Sequence, residues 1–339
     1  MSPLDQRRQW TRREFLKVAG SSAVMAFSAG LVGKSLWDSL KHESVFLASV
    51  TDYGADLKGV LLAGLAGIGV LPAEVRGRNV LLKPNLVEPH AGRQHINVHP
   101  LVVRGAVEAF LSLGAASVTV GEGAGHRRDT QAVLQDSGFA EILAEDRIRF
   151  VDLNMGPVVA RRNLGRTTNL EYLHFPAEVA KADIVVSIAK MKTHHWAGVT
   201  LSMKNLFGVM PGILYGWPKN VLHWEGIPNS IYDINATLKP HLGIVDGIVG
   251  MEGDGPIMGD PLAANVLAVG RDLVALDATC ARVMGIDPLK IPYLAYSGRF
   301  GGIGVLAEGR IDQRGETIAS VRKDFQLLDI VPAQRGIRL

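Results

Sequence analysis

The sequence predicts an α/β fold: a Rossmann-like, mostly parallel sheet with helices on both faces. Three observations predict it. Strand-like runs alternate with helix-like runs along the chain, and the strand-like runs are short and apolar without polar alternation. Both features belong to parallel strands covered on two sides. The third is that polar clusters follow the strand-like runs directly, after Leu82, Val120, Ile188 and Val245. In open α/β sheets, ligands bind beyond the carboxyl ends of the strands. Four segments from distant parts of the chain are therefore expected on one rim.

The elements follow in order. Residues 34–55 read as a linker and first turn. Residues 59–71 are an apolar run stopped by Pro72, too short for a bilayer span and expected as a buried helix. Residues 79–82 are a short strand running into Lys83-Pro84-Asn85. Residues 100–113 carry apolar side chains at helical spacing, with Pro100 in the first turn and Gly114 as the stop. Residues 116–120 are strand-like and lead into Gly121-Glu122-Gly123-Ala124-Gly125-His126. A helix over 130–143 is open to splitting at Gly138. Residues 150–153 form a strand, 177–182 a short helix and 183–188 a buried strand. Further strands are expected at 242–245, ending in Asp246-Gly247, and at 266–269. A helix over 275–284 is stopped by Gly285.

Charge separates the N-terminus from the rest. The 339 residues hold 36 Lys and Arg against 33 Asp and Glu, a net +3. Residues 1–28 contribute Arg7, Arg8, Arg12, Arg13 and Lys17 against Asp5 and Glu14. Beyond them the basic and acidic residues cancel. A neutral body with few aromatics lacks the basic face that nucleic acid requires. The segment Thr11-Arg12-Arg13-Glu14-Phe15-Leu16-Lys17 precedes a mild apolar run rich in Gly, Ala and Ser. This resembles a twin-arginine export signal, which implies the twin-arginine translocase as a partner and the periplasm, or the outer face of the cytoplasmic membrane, as the destination. The signal is either cleaved near Ala26-Phe27-Ser28 or kept as an N-terminal membrane attachment. The expected organisation is a signal at 1–33, a linker at 34–44 and a single α/β domain at 45–330. Cys280 is the lone cysteine. An intramolecular disulfide is excluded, and so is an iron–sulfur cluster held by this chain alone.

The densest polar cluster is residues 190–212, KMKTHHWAGVTLSMKNLFGVMPG. Lys192 and Lys204 suit an anion, and a desolvated lysine becomes a nucleophile. His194 is a candidate acid–base group or metal ligand, and Asn205 orients a carboxylate or carbonyl. His195 and Trp196 read as solvent-facing or packing groups. His223, from a separate segment, could join His194 around a metal with a carboxylate completing the shell. No HxxxH or HExxH spacing occurs. Lys83 and Asn85 end a strand. Glu122 sits in a glycine-rich turn that lacks the Lys-Ser/Thr of a P-loop. Asp246, Glu252 and Asp254 supply carboxylates in a glycine-rich stretch without EF-hand spacing. Asp277 either faces the rim or caps a neighbouring turn.

Longer motifs carry a resemblance. Lys83-Pro84-Asn85-Leu86-Val87, Lys192-x-His194, Thr200, Lys204-Asn205-Leu206-Phe207-Gly208, Pro211-Gly212, Ile244-Val245-Asp246-Gly247-Ile248, Glu252-Gly253-x-Gly255-Pro256 and Gly259 occur in that order. Together they resemble domain-of-unknown-function family 362 (DUF362), over about residues 45 to 300. Many members carry a ferredoxin-like cluster segment, which a single cysteine cannot supply here. More distantly, His194, Gly198, Lys204, Pro211-Gly212 and His223 are similar to the N-terminal domain of the nickel-pincer lactate racemase family. That likeness implies that Lys204 carries a pyridinium-derived nickel cofactor covalently, and that His194 and His223 ligate nickel or move protons. The chain departs from that pattern at Leu201-Ser202-Met203, where two glycines are usual, and lacks an early Arg-Pro motif. The cofactor is therefore left open, as a metal ion or a nickel-pincer-like group.

The functional expectation is a metal- or cofactor-dependent enzyme acting on a small carboxylate by proton transfer or isomerisation. Its rim site would hold His194, Lys204, His223 and Lys192 as catalytic groups. Lys83, Asn85, Asn205, Glu122, Asp246 and Glu252 would bind the small anionic ligand, and His194 and His223 would be the metal ligands. The alternative is a periplasmic anion- or metal-binding or delivery protein without turnover.

Overall fold

Strands β2 (Asn79–Pro84), β3 (Ser117–Glu122), β4 (Arg149–Asp152), β7 (Ile184–His194) and β9 (Leu242–Glu252) form the parallel heart of the sheet, in the spatial order β4-β3-β2-β7-β9. Counted along the chain as the first five parallel strands, this is the order 3-2-1-4-5 of a doubly wound nucleotide-fold half. The sheet then turns mixed. β11 (Val266–Gly270) runs antiparallel to β9 and to β1 (Glu43–Ser49), and β12 (Ile311–Gly315) closes the edge parallel to β1. β8 (Gly198–Thr200) folds back on β7 and β10 (Asp260–Leu262) on β9. A separate ribbon pairs β5 (Val158–Arg162) with β6 (Tyr172–Pro176). These strands belong to a computed structural model that describes residues 41–89, 91–125 and 129–339.

One face of the sheet packs against helices Leu57–Gly67 and Pro100–Ser112, with Leu61, Leu65, Val102, Ala106 and Phe110 meeting Val80, Leu82, Val186, Ile188 and Ile244. The other face packs against the helices between β8 and β9, and against helix Leu273–Val283. The alternation of strand side chains sets which residues meet which layer. Gly138 does split the expected helix over 130–143. It adopts φ 75° between Thr130–Asp136 and Phe139–Glu145, a conformation open to glycine without penalty.

Several expectations need revision. Residues 43–49 are a strand inside the stretch read as linker and first turn, because Val45 and Leu47 alternate with exposed or half-buried neighbours into the core. β7 runs to His194, so Lys190, Lys192 and His194 are strand residues; β9 runs to Glu252, which puts Asp246 in mid-strand. His42 to Leu339 form one compact unit that continues past residue 330, where Gln334 is buried and bonds Gly253 O through Nε2. The export signal at 1–33 and most of the linker at 34–44 lie outside the described residues. No helix among the described residues is long and apolar enough to cross a membrane.

Candidate functional site

β2 and β7 are neighbours although the chain leaves β2 in one direction across the sheet and enters β7 on the other side of it. Such a switch opens a crevice at the carboxyl ends of the strands. A cavity of about 320 Å³ lies there. Lys83 and Asn85 reach it from the end of β2, Glu122 from β3, and Lys192 and His194 from β7. Lys204 and Asn205 come from the short helix Ser202–Asn205, and Lys219 and His223 from the next segment. The structure thus brings together eight of the ten residues singled out from the sequence. It places Asp246 and Glu252 elsewhere.

The floor is a buried ion pair. Lys83 Nζ lies 2.8 Å from Glu122 Oε2 and donates to Asn205 Oδ1 at 2.7 Å. Glu122 also accepts from the backbone amides of Leu86 at 2.9 Å and Gly123 at 2.8 Å. Asn205 Nδ2 returns to Lys83 O at 3.0 Å and reaches Ser187 Oγ at 3.0 Å. The carboxylate is fully engaged, so its charge serves the lysine and not a ligand. Gly208 makes this packing feasible: a Cβ there would sit 2.5 Å from Lys83 Nζ and 2.7 Å from Glu122 Oε1.

The remaining cations are differently placed. Lys192 Nζ donates to two carbonyls, Ile96 O at 2.7 Å and Pro256 O at 3.2 Å, and has no carboxylate partner among the described residues. Burial pushes its ammonium well down from the usual lysine range, and Lys204, Lys190 and Lys83 push it further. Among the described residues, Lys204 meets the Phe207 ring, 5.9 Å from Nζ to the centroid. Burial, then Lys83, lowers it to about 8. Lys219 donates to Asn154 Oδ1 at 2.6 Å and Gly123 O at 3.3 Å, and burial lowers it to about 8. Asn85 Oδ1 and Thr200 Oγ1, both buried and both on the cavity wall, have no hydrogen-bond partner among the described residues. Unpaired buried polar atoms beside unpaired cations are groups waiting for a polar ligand.

The histidines take opposite hydrogen-bond roles at Nδ1. His194 Nδ1 accepts from the amides of Trp196 at 3.0 Å and Ala197 at 3.2 Å. An N–H at that atom would face two donors, so the proton sits on Nε2. His223 Nδ1 lies 3.0 Å from Lys219 O, which only accepts. Nδ1 is therefore a donor and carries a proton. Burial, followed by the charge on Lys204, holds His194 well below the usual histidine range and so neutral. A metal ligand needs a lone pair on the atom it presents. His194 presents an N–H, and no group of three or more His, Cys, Asp or Glu side chains among the described residues is placed to hold a metal. The donor set therefore does not fit the metal centre expected from His194 and His223. For the same reason it does not fit a nickel group ligated by His194.

Asp246 and Glu252 are corrections with clear causes. Asp246 shares strand parity with Ile244 and Ile248, which pack in the layer of helices Leu57–Gly67 and Pro100–Ser112. There it pairs with Lys190 Nζ at 2.9 Å, with Tyr53 OH at 3.1 Å and with the His99 amide at 3.0 Å. Glu252 accepts from the Gln326 amide at 2.7 Å and ties down the C-terminal segment. Asp277 resolves as a cap: it accepts from Ser202 N at 2.8 Å, Met203 N at 2.9 Å and the Ser202 hydroxyl, holding the helix that carries Lys204 and Asn205. Burial raises it to about 7. Sequence reading missed Lys219. The signal was present in Gly216-Trp217-Pro218-Lys219, a turn sequence ahead of the flagged His223, but nothing local shows that the lysine folds inward with φ 69°.

Comparison with known proteins agrees with the motifs. The family model described as "Domain of unknown function (DUF362)" matches residues 80–282, more than half of the chain. The chain belongs to the DUF362 family. A thylakoid-associated protein of Synechocystis sp. is 29% identical to this DUF362 chain over 249 residues, 71% of this chain and 73% of the relative. Among solved structures, the lactate racemase apoprotein of Thermoanaerobacterium thermosaccharolyticum is similar at a TM-score of 0.42 and 15% identity, over 73% of this chain. The DUF362 chain spans only 58% of the length of that racemase chain. A Thermotoga maritima protein is similar at a TM-score of 0.35 and 12% identity, covering 63% of this chain and 54% of its own.

Proposed function

We propose that the cavity binds a small carboxylate and moves a proton at the carbon beside it. One observation carries the reading: among the described residues four lysines and one carboxylate line the cavity, and that carboxylate is consumed by Lys83 and two backbone amides. The charge missing from the site is that of an anionic ligand. Lys204 and Lys219 would hold the ligand's charge, and Asn85 and Thr200 would satisfy their open valences on it. His194 presents an N–H and would donate a proton, and His223 would accept one when its Nε2 is deprotonated. Carboxylates of 2-hydroxy acids carry a hydrogen on the carbon next to such a clamp.

The test is exchange of the α-hydrogen of a panel of 2-hydroxy acids in deuterium oxide, followed by NMR. Exchange by the parent is expected, with loss in His223→Gln while calorimetry still detects acid binding. Binding of the acids without exchange of any of them would overturn the proton-transfer step and support binding without turnover. We further propose that the protein works outside the cytoplasm, on the strength of Arg12-Arg13 ahead of Phe15-Leu16-Lys17. Export that continued unchanged with both arginines replaced by lysine would defeat this.

A further inference from the structure

The cavity lining is chemically mixed. Lys83, Lys192, Lys204 and Lys219 supply its cationic groups. Much of the rest of the wall is apolar and aromatic: Val87, Trp196, Phe207, Pro218, Ile227 and Ile257 all line it. A carboxylate held by the lysines leaves that apolar lining unused. At about 320 Å³ the space is roughly ten times the ~30 Å³ that a water molecule occupies in the liquid, so an acid of two or three carbons would leave much of it filled by water against apolar walls.

The ring geometry on that wall is specific. The Trp196 and Phe207 rings both stand edge-to-face to the His223 ring, with centroids 5.5 Å and 5.2 Å away and interplanar angles of 78° and 74°. Aromatic partners prefer such edge contacts, so His223 holds the Trp196 and Phe207 rings in place on the cavity wall. The apolar surface also does not stop at the wall. Trp196 is 55% exposed, Trp224 beside His223 is 80% exposed, and Met258 beside Ile257 is 72% exposed. Large exposed apolar side chains grouped on cavity-lining segments mark a binding surface more often than chance decoration.

We infer that the ligand of this cavity is an amphipathic anion: a carboxylate joined to an apolar body of about the size of an aromatic ring, the body lying against Trp196 and Phe207. This rests on the anion-binding reading proposed above and adds the class of molecule the site accepts. It also assigns Trp196 and Phe207 as specificity-determining residues rather than packing groups.

Isothermal titration calorimetry of the full chain with acetate, phenylacetate and 2-phenylethanol tests it. Phenylacetate is expected to bind at least tenfold more tightly than acetate, and also more tightly than its neutral analogue. Trp196→Ala should erase most of the preference for phenylacetate while leaving acetate binding within about twofold, and Phe207→Leu, which also removes the ring beside Lys204, should erase that preference as well. Phenylacetate and acetate binding equally would overturn the inference and leave the anion site standing. Equal binding of 2-phenylethanol and phenylacetate would overturn both, since the lysines would then contribute nothing. Trp196 is largely exposed, so its replacement is not expected to impair folding, and a variant that keeps its fold but not its ring preference separates recognition from stability.

Discussion

Lys190 and Lys192 stand one residue apart on β7, both with no solvent exposure, and they meet opposite fates. Lys190 lies 2.9 Å from Asp246 Oδ2 and donates to Tyr53 OH at 2.8 Å, while Tyr53 stacks on His99 with ring centroids 3.8 Å apart. Every polar atom around it is answered from within the protein, and the region is closed. Lys192 meets two carbonyls, sits among three other lysines of the cavity wall and has no carboxylate partner among the described residues. In a regular strand the two side chains would share a face. The register of β7 against β9 shifts between them, and an irregularity of that kind re-aims the chain. The lesson is that a buried lysine is not by itself a functional residue. What distinguishes the two is whether the protein supplies the counter-charge or leaves it to a ligand.

The largest expected effect breaks the comparison directly. Lys190→Met leaves Asp246 as a buried carboxylate without its cation, and should destabilise the fold by about 3–5 kcal/mol in urea unfolding. Lys192→Met removes a desolvated amine that has no ionic partner among the described residues, and should leave stability within about 1 kcal/mol of the parent or above it. It should nevertheless weaken acid binding. Equal destabilisation by the two substitutions would mean that both lysines are structural and that the distinction is false.

A smaller effect sharpens the comparison through pH. Lys204 and Lys219 are lowered to about 8 by burial, below the ordinary lysine value. Between pH 8 and about 10.5 the unfolded chain therefore holds protons that the ligand-free folded chain has released. The contribution of the two neutral amines to stability is complete above the unfolded value and is lost as pH falls through 8. Stability from this source rises with pH across that window. An anion reverses the preference, because it favours the ammonium forms. Acetate binding near pH 8.5 is expected to take up protons, and its affinity should fall by up to tenfold per pH unit above 8. Calorimetry in buffers of different ionisation enthalpy measures the uptake, and Lys204→Met should reduce it. Proton release on binding would contradict the charge clamp.

Much of the site was legible because it follows from local pattern. The apolar strand at 184–188 and the polar residues after it announce a strand end, and Lys83-Pro84-Asn85 announces another. Once the fold is doubly wound, strand ends converge. Asp246 escaped this logic because the strand it was expected to end continues for six residues beyond it, and its parity turns it into the opposite layer. Lys219 escaped because its inward path depends on Asn154 and Gly123, contributed by segments remote in sequence.

The sequence by itself determined the alternation of strands and helices, the family, and the placement of Lys83, Glu122, Lys192 and His194 at the strand ends of a parallel sheet. Periodicity and turn chemistry act over a few residues, so they are written where they act. The tertiary structure alone decided which charges are answered and which are not. Lys83 finds Asn205 across 122 residues of chain and Lys190 finds Asp246 across 56. The proton of His194 is assigned by the backbone of its own turn and that of His223 by the carbonyl of Lys219. Tautomer, counter-charge and desolvation depend on atoms within a few ångströms in space. Distance along the chain carries no record of them.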